Sequence, residues 1–255
     1  NLYLEGEADN ISPLKALALY DEFLELTPAG AEGNLMIQML AERLVDVDLL
    51  DKAAAVLSHQ VKFRLRGEEK AAVGTKLALV RLIARDPQGA LNALRDSFFP
   101  NVSLEVENDR RRIRAKAEFE LGKPNDAIAL LAGDVSREAD LLRSAIYFRE
   151  ANWGEAGKVY QRLVGNPPVD GEAMGEEIGR TVLLWAVALK LNRDEDGLRQ
   201  LFDFFGPSMQ SSPLAATFDY IAKPPEGGSF DLGSIQKQIA DVDQFQAFIK
   251  NYRER

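Results

Sequence analysis

Apolar residues recur at intervals of three and four along most of the chain, and charged or amide residues fill the positions between them. This spacing gathers the apolar side chains on one face of an α-helix, whereas a strand needs them at every second position. Ala, Leu, Glu, Arg and Lys, which favour helices, fill most of these segments. Only the short run Val102–Val106 is a plausible strand. The pattern therefore predicts an all-α fold.

A small residue recurs where the second helix of each helix pair is expected to begin. The spacings are 37, 37, 37, 29 and 41 residues, and the positions are Ala16, Ala53, Ala90, Ala127, Ala156 and Gly197. Four residues later stands a large apolar side chain in every case: Tyr20, Leu57, Leu94, Leu131, Tyr160 and Leu201. Twelve residues earlier the first helix carries Ala41, Ala78, Ala115 and Ser144, with Trp185 as the exception. Small residues let antiparallel helices approach closely, so the pattern predicts stacked helical hairpins.

Residues 109–168 resemble a known repeat family. The matching segments are Leu121–Ala127 (LGKPNDA) with Tyr147, then Trp153–Ala156 (WGEA) with Tyr160, Leu163 and Pro168. They are similar to the consensus of the tetratricopeptide repeat (TPR), and the resemblance extends in degenerate form over residues 14–205. It implies an α-solenoid of about five to six antiparallel helix pairs. An irregular helical bundle is the alternative fold.

The composition changes after residue 205, and this divides the chain into two predicted parts. Residues 1–205 form the TPR-like array, and residues 206–255 form a connection rich in Pro and Gly followed by capping helices. The last segment has apolar residues at helical spacing, namely Ile235, Ile239, Val242, Phe245, Ile249 and Tyr252. We expect a C-terminal capping helix here, and a partner-binding amphipathic helix is the alternative. Because the chain begins with Asn1, we expect it to be part of a longer bacterial protein.

Charge and hydropathy limit the kind of partner. The net charge of −9 disfavours nucleic acid, whose phosphates repel an acidic protein. The longest apolar stretches fall well short of the roughly 20 residues that a bilayer crossing needs, so we expect a soluble segment with no membrane insertion. The compartment is unknown, with a lean towards the periplasm or cell envelope over the cytoplasm.

Candidate chemistry is sparse. The chain has no cysteine and a single histidine, His59, so neither a thiolate site nor a multi-histidine metal site is expected. The Gly227–Ser229 segment lacks the lysine and flanking strand of a phosphate-binding loop. We therefore expect no catalytic residue, no cofactor and no metal, and an enzyme ranks third among the possible functions.

A basic run, Arg110–Lys116, places five cations in seven residues of an acidic chain. The TPR resemblance implies that first helices line a concave surface. The side chains expected to face it are Arg112, Lys116, Phe119, Phe148 and Arg149. Guanidinium groups bind carboxylates in bidentate fashion, so this surface is predicted to hold a protein or peptide.

Two alternatives to this surface stay open. In the first, the arginines pair with the acidic residues of their own stretch, which are Glu105, Glu107, Asp109, Glu118 and Glu120. In the second, the chain is a structural spacer or self-association domain, and forms a homo-oligomer. The leading hypothesis is a non-catalytic scaffold that binds a protein or peptide.

Overall fold

The computed structural model describes residues 12–22, 28, 30–167 and 174–223. These residues form twelve α-helices and no strand. The helices are α1 (Pro13–Glu22), α2 (Ala31–Asp46), α3 (Leu50–Phe63), α4 (Gly67–Ile83), α5 (Pro87–Asp96), α6 (Leu104–Glu120), α7 (Pro124–Leu131), α8 (Arg137–Arg149), α9 (Trp153–Val164), α10 (Glu176–Leu191), α11 (Glu195–Met209) and α12 (Ala215–Ala222). The prediction of an all-α fold is confirmed for this part of the chain.

The short run Val102–Val106, which the sequence left as a plausible strand, is not a strand. Helix α6 begins at Leu104, directly after Ser103, whose backbone is extended (φ −60°, ψ 154°). Glu105 and Glu107 lie in the first turn of α6, where carboxylates are stabilised by the positive end of the helix dipole. The alternation at 102–106 is thus the start of a helix.

Two compact units divide the chain, Asn1–Asp134 and Val135–Arg255. In the first unit, α2 packs on α3, α4 on α5 and α6 on α7, and α4 also packs on α3 and α6. In the second unit, α9 packs on α8 and α10, and α10, α11 and α12 pack on one another. Each unit is therefore built from sequential helix pairs.

Five of these helix pairs share one turn of three residues. The middle residue of each turn has a left-handed backbone with φ between 56° and 79°: Asp48, Arg85, Gly122, Ala151 and Arg193. Its N–H bonds to the carbonyl three residues earlier, and the next N–H bonds to the carbonyl five residues earlier, at 2.8–3.2 Å in all five cases. This is the Schellman arrangement, in which the backbone itself satisfies the last carbonyls of a helix.

In three of the five turns the side chain of the following residue caps the next helix. Carboxylate or amide oxygens of Asp86, Asn152 and Asp194 accept the backbone N–H three residues later. Pro87 and Pro124 occupy first helical positions, where a missing N–H costs nothing. A cap, a proline or both thus mark the first residues of α5, α7, α9 and α11.

The recurring small residues are buried, as the spacing predicts. Five are fully buried, namely Ala16, Ala53, Ala90, Ala127 and Ala156, and each is the fourth residue of its helix. The sixth position is wrong by one residue, because the fourth residue of α11 is Leu198 and not Gly197. Twelve residues before Leu198 lies the fully buried Ala186, so Trp185 was an exception only because of the wrong register.

The predicted C-terminal part is described only as far as residue 223. Helix α11 continues through Gly206 and Pro207 to Met209, and α12 follows at Ala215–Ala222. The boundary at residue 205 stays a prediction, and the capping helix at 235–252 lies outside the described residues. None of the helices in the described part combines the length and apolar content that a bilayer crossing needs.

Candidate functional site

The basic run on α6 separates into side chains with different environments. Arg110 is half-buried, and its guanidinium donates to the carbonyl oxygens of Ala71 (2.8 Å) and Leu94. It also donates to the hydroxyls of Thr75 (3.2 Å) and Ser97 (3.1 Å). Burial lowers the pKa of Arg110 from its ordinary value. Arg110 therefore ties α6 to α4 and α5, and its guanidinium is engaged within the unit.

Arg112 is engaged within its own unit. Its guanidinium lies 2.5 Å from the Asp109 carboxylate and 2.9 Å from that of Asp134, which is buried. Burial acts to lower the pKa of Arg112, but the hydrogen bonds to the two carboxylates outweigh it and raise this pKa. Arg111 pairs with Glu107 at 2.5 Å. The alternative in which these arginines pair with acidic residues of their own stretch is therefore correct for Arg111, which pairs with Glu107. It is correct in part for Arg112, which pairs with Asp109 of that stretch and also with the more distant Asp134.

Lys116 and Phe119 lie further along α6. Lys116 is exposed and Phe119 is partly exposed. Arg114, from the same basic run, is also exposed. The part of the predicted surface that lies in the first unit thus consists mainly of Lys116 and Phe119.

Phe148 and Arg149 belong to the second unit, at the end of α8. The Phe148 side chain is 2% exposed, and its ring makes edge contacts with Trp153 (5.1 Å between centroids) and Tyr160 (6.4 Å). It is a core residue and offers no surface to a partner. Arg149 is exposed.

A groove that the sequence did not indicate lies in the first unit. It encloses about 650 Å³ between α3 and α5, with α4 as its floor. Its lining comprises Ser58, Val61, Lys62, Lys70, Leu77, Arg81, Asp86, Gly89, Asn92, Ala93 and Asp96. Pockets that bind small ligands have similar volumes and combine apolar floors with a few polar groups. We refer to it as the α3–α5 groove.

Charges in the α3–α5 groove are only partly paired. Arg81 lies 3.6 Å from Asp86, and Asp96 pairs with Arg95 at 3.1 Å. Lys62 lies over the Phe63 ring, with its Nζ 5.0 Å from the centroid. Within the described residues, the Lys70 ammonium has neither an ion pair nor a hydrogen bond. Two lysines thus face the groove with no carboxylate partner among residues 12–22, 28, 30–167 and 174–223.

His59 is the single histidine of the chain, and it does not line the groove. Its ring lies 4.9 Å from that of Phe63, and its Nδ1 is buried with no hydrogen-bond partner in the described part of the chain. In the same part, no three His, Asp or Glu side chains are arranged to hold a metal ion.

Comparison with known proteins identifies no family. The chain matches no protein-family model, and no curated protein is significantly similar to it. Any function must therefore be argued from the surfaces of the chain itself.

Proposed function

We propose that this chain is a non-catalytic scaffold that binds a protein or peptide, and that within each unit its hairpins are repeats of a TPR-like α-solenoid. The shared turn supports the repeat, because five hairpins of different sequence use the same three-residue joint. Buried small residues at the fourth position of the second helices support it as well. Hairpins of this kind stack on their neighbours and leave grooves between successive helices.

The observation that carries the binding role is the α3–α5 groove. Three helices contribute to its walls, so its shape is fixed by secondary structure rather than by a loop. Lys62 and Lys70 face it, and no carboxylate in the described part of the chain pairs with either lysine, although the chain carries a net charge of −9. Polar groups held without partners beside an apolar floor are what a binding site offers to a ligand.

Two of the five residues expected to contact a partner from α6 and α8 lose support. The burial of Phe148 excludes it from contact with a partner, and the charge of Arg112 is balanced by two carboxylates. Lys116, Phe119 and Arg149 stay candidates for partner contact. None of these three residues lines the groove, so the groove and each of them need their own test.

Deletion of one repeat tests the repeat architecture. The first residues of α3, α5 and α7 are 37 residues apart, so removing residues 50–86 joins Leu49 to Pro87 at an equivalent turn position. We expect the shortened chain to fold cooperatively, with a smaller urea m-value because less surface is buried. Deletion of residues 87–123 is the second variant. If circular dichroism shows that the chain without residues 50–86 is unfolded while the chain without residues 87–123 is folded, the repeat is restricted to part of the unit. Loss of folding in both deletions would overturn it.

Site-specific photo-crosslinking tests the scaffold function. p-Benzoylphenylalanine replaces Ser58 in the groove, Lys116 on α6, Arg149 on α8 or Asp203 on α11, and each chain is irradiated in an extract of its source cells. We expect a discrete heteromeric adduct at one or more of the first three positions, lost when excess unmodified chain competes. The exposed Asp203 position serves as the background control.

The spacer hypothesis predicts a different result. Without a competed heteromeric adduct at any position, and with concentration-dependent association in sedimentation, the chain is a self-association domain and the scaffold proposal fails. If an adduct forms only at Lys116 or Arg149, the scaffold function stands but the partner binds outside the groove.

A further inference from the structure

The α3–α5 groove runs along the floor helix between two ends of different charge. Lys70, in the first turn of α4, marks one end together with Lys62 from the last turn of α3. Arg81 and Asp86, near the end of α4 and the start of α5, mark the other. Eleven residues of α4 separate Lys70 from Arg81, which at 1.5 Å per residue is about 16 Å.

The width of the groove limits the shape of its occupant. Both α3 and α5 pack on α4, and packed helices lie about 8–10 Å apart. The axes of α3 and α5 are therefore at most about 20 Å apart, which leaves a gap of no more than about 10 Å between their surfaces. A helix with side chains is about 10–12 Å in diameter and does not reach the floor. An extended backbone does, and about five of its residues span 16 Å.

The charge of the groove indicates which groups the occupant carries. Facing the groove are three cations and two carboxylates, and the Arg81–Asp86 pair neutralises itself at 3.6 Å. The remaining carboxylate, Asp96, has Arg95 at 3.1 Å. Lys62 and Lys70 are left to bind an anion, and a lysine ammonium is a compact charge that binds a carboxylate through several alternative geometries.

We infer that the α3–α5 groove binds a short extended peptide segment of about five residues, with a carboxylate of that segment held between Lys62 and Lys70. The apolar lining residues Val61 of α3, Leu77 of α4 and Ala93 of α5 take its apolar side chains, which point to alternate sides of an extended backbone. This inference rests on the proposed scaffold function and names its ligand class. The carboxylate is that of an Asp or Glu side chain or of a peptide C-terminus.

A selection from random peptides tests the inference without assuming a sequence. Phage displaying random nonapeptides are selected on the full chain and counter-selected on the Lys62→Gln/Lys70→Gln variant. We expect the enriched peptides to carry Asp or Glu beside apolar residues at alternate positions. The enriched peptides are then synthesised with an N-terminal fluorophore, as C-terminal amides and as free acids, and their affinities are measured by fluorescence anisotropy.

The matched control removes the same charges elsewhere. Lys52 on α3 and Lys190 on α10 are exposed and do not line the groove, so Lys52→Gln/Lys190→Gln has the same net charge as the groove variant. We expect the groove variant to weaken binding at least tenfold and the control to change it less than twofold. Ser58→Glu, which adds a carboxylate to the groove, is expected to weaken binding of the acidic peptides while circular dichroism stays unchanged.

The outcomes separate the two sources of the carboxylate and the two proposals. Tighter binding of the free acid than of the amide assigns the carboxylate to a C-terminus, and equal binding assigns it to a side chain. No enrichment, enrichment of neutral peptides, or equal affinity in both lysine variants overturns the inference. If a competed crosslink still forms at Lys116 or Arg149, only the groove assignment has failed and the scaffold function stands.

Discussion

Gly74 of α4 lies directly against the Ser97 side chain at the end of α5, which occupies the space that a Cβ atom at position 74 would need. A Cβ atom at position 74 would lie 2.0 Å from the Ser97 Oγ and 2.1 Å from its Cβ. Ser97 is fully buried, and its hydroxyl donates to the carbonyl of Ala93 at 2.7 Å. The same hydroxyl accepts a hydrogen bond from Arg110 at 3.1 Å. The absent side chain of Gly74 thus makes room for a buried hydroxyl that lies against α4 and hydrogen-bonds to α5 and α6.

This contact predicts that the effect of Gly74→Ala changes sign with its neighbour. In the natural background the added methyl group clashes with Ser97, and we expect the free energy of unfolding to fall by about 1–3 kcal/mol. In a Ser97→Gly background the nearest remaining atom is the Ala93 carbonyl oxygen at 3.6 Å. There we expect Gly74→Ala to stabilise by up to about 1 kcal/mol, the helix preference of Ala over Gly. Urea unfolding of the four variants measures both values, and an equal effect in both backgrounds would contradict the contact.

Arg110 is expected to contribute far more to stability than its neighbour in the basic run. Arg110→Met removes four hydrogen bonds to groups of α4 and α5, and we expect a loss of about 2–4 kcal/mol. Arg111→Met removes one partly exposed pair with Glu107, and a loss below about 1 kcal/mol is expected. Arg110→Lys should recover little, because an ammonium does not reproduce the planar guanidinium fork. Equal losses for the two Met variants in urea unfolding would show that Arg110 lies on the surface.

The turn at Ala151 is expected to gain stability from glycine. Ala151 is exposed with φ 56°, a left-handed backbone that costs a residue with a Cβ about 1–2 kcal/mol. Ala151→Gly should therefore raise the free energy of unfolding by about 1 kcal/mol. Gly122 holds the same turn position, and a Cβ added there would meet no atom within 4 Å. Gly122→Ala should therefore lower the free energy of unfolding by a similar amount through backbone strain alone.

An exposed helical alanine supplies the control for both turn variants. Ala55 lies on the surface of α3, and Ala55→Gly should destabilise by about 1 kcal/mol, opposite in sign to Ala151→Gly. Thermal and urea unfolding of the three variants give the comparison. Destabilisation by Ala151→Gly would mean that this turn is not left-handed.

Stability of the second unit is expected to depend on the ionised Asp140. A hydrogen bond from Arg162 lowers the pKa of Asp140, burial opposes this, and a hydrogen bond from Arg143 adds to the lowering. Because the pKa is lower in the folded state, the stabilisation is complete above the unfolded pKa of about 3.9. It is lost as the pH falls through the folded pKa. We expect Asp140→Asn to cost about 1–3 kcal/mol at pH 7 and progressively less below about pH 4.

Asp196 provides the matched control for this pH dependence. It also lies in the first turn of a helix of the second unit, and it pairs with Arg199 at 3.4 Å, but both side chains are exposed. Asp196→Asn should change stability by less than about 1 kcal/mol at any pH. Urea unfolding between pH 2.5 and 7 distinguishes the two, and a constant gap for Asp140→Asn would contradict the assigned role.

The helix pairs could be predicted because their signals are local. Apolar spacing, Pro87 and Pro124 at helix starts, and buried alanines all act within one or two turns of helix. The error at Gly197 has a physical cause. Four of the five left-handed turn residues are not glycine, and Arg193 before α11 is one of them, so no glycine marked the end of α10 in the sequence.

The binding surface was harder to predict because its contacts are distant in sequence. Arg110 reaches Ala71 and Leu94, and nothing in the basic run distinguishes it from Arg114, which is exposed. Phe148 looks like a surface aromatic until its contact with Trp153 across the hairpin is known. The groove combines residues of three helices, each of which reads as an ordinary amphipathic helix.

The three-residue turns between paired helices tolerate different side chains at their central position. Their hydrogen bonds run between backbone atoms only, and the central residue is acidic, basic or apolar in different hairpins. The same turn therefore forms whether its central side chain is acidic, basic or apolar. Proteins that differ in the charge of these central residues can therefore keep the same turn, and a comparison of backbone geometry detects such a hairpin where a comparison of side chains does not.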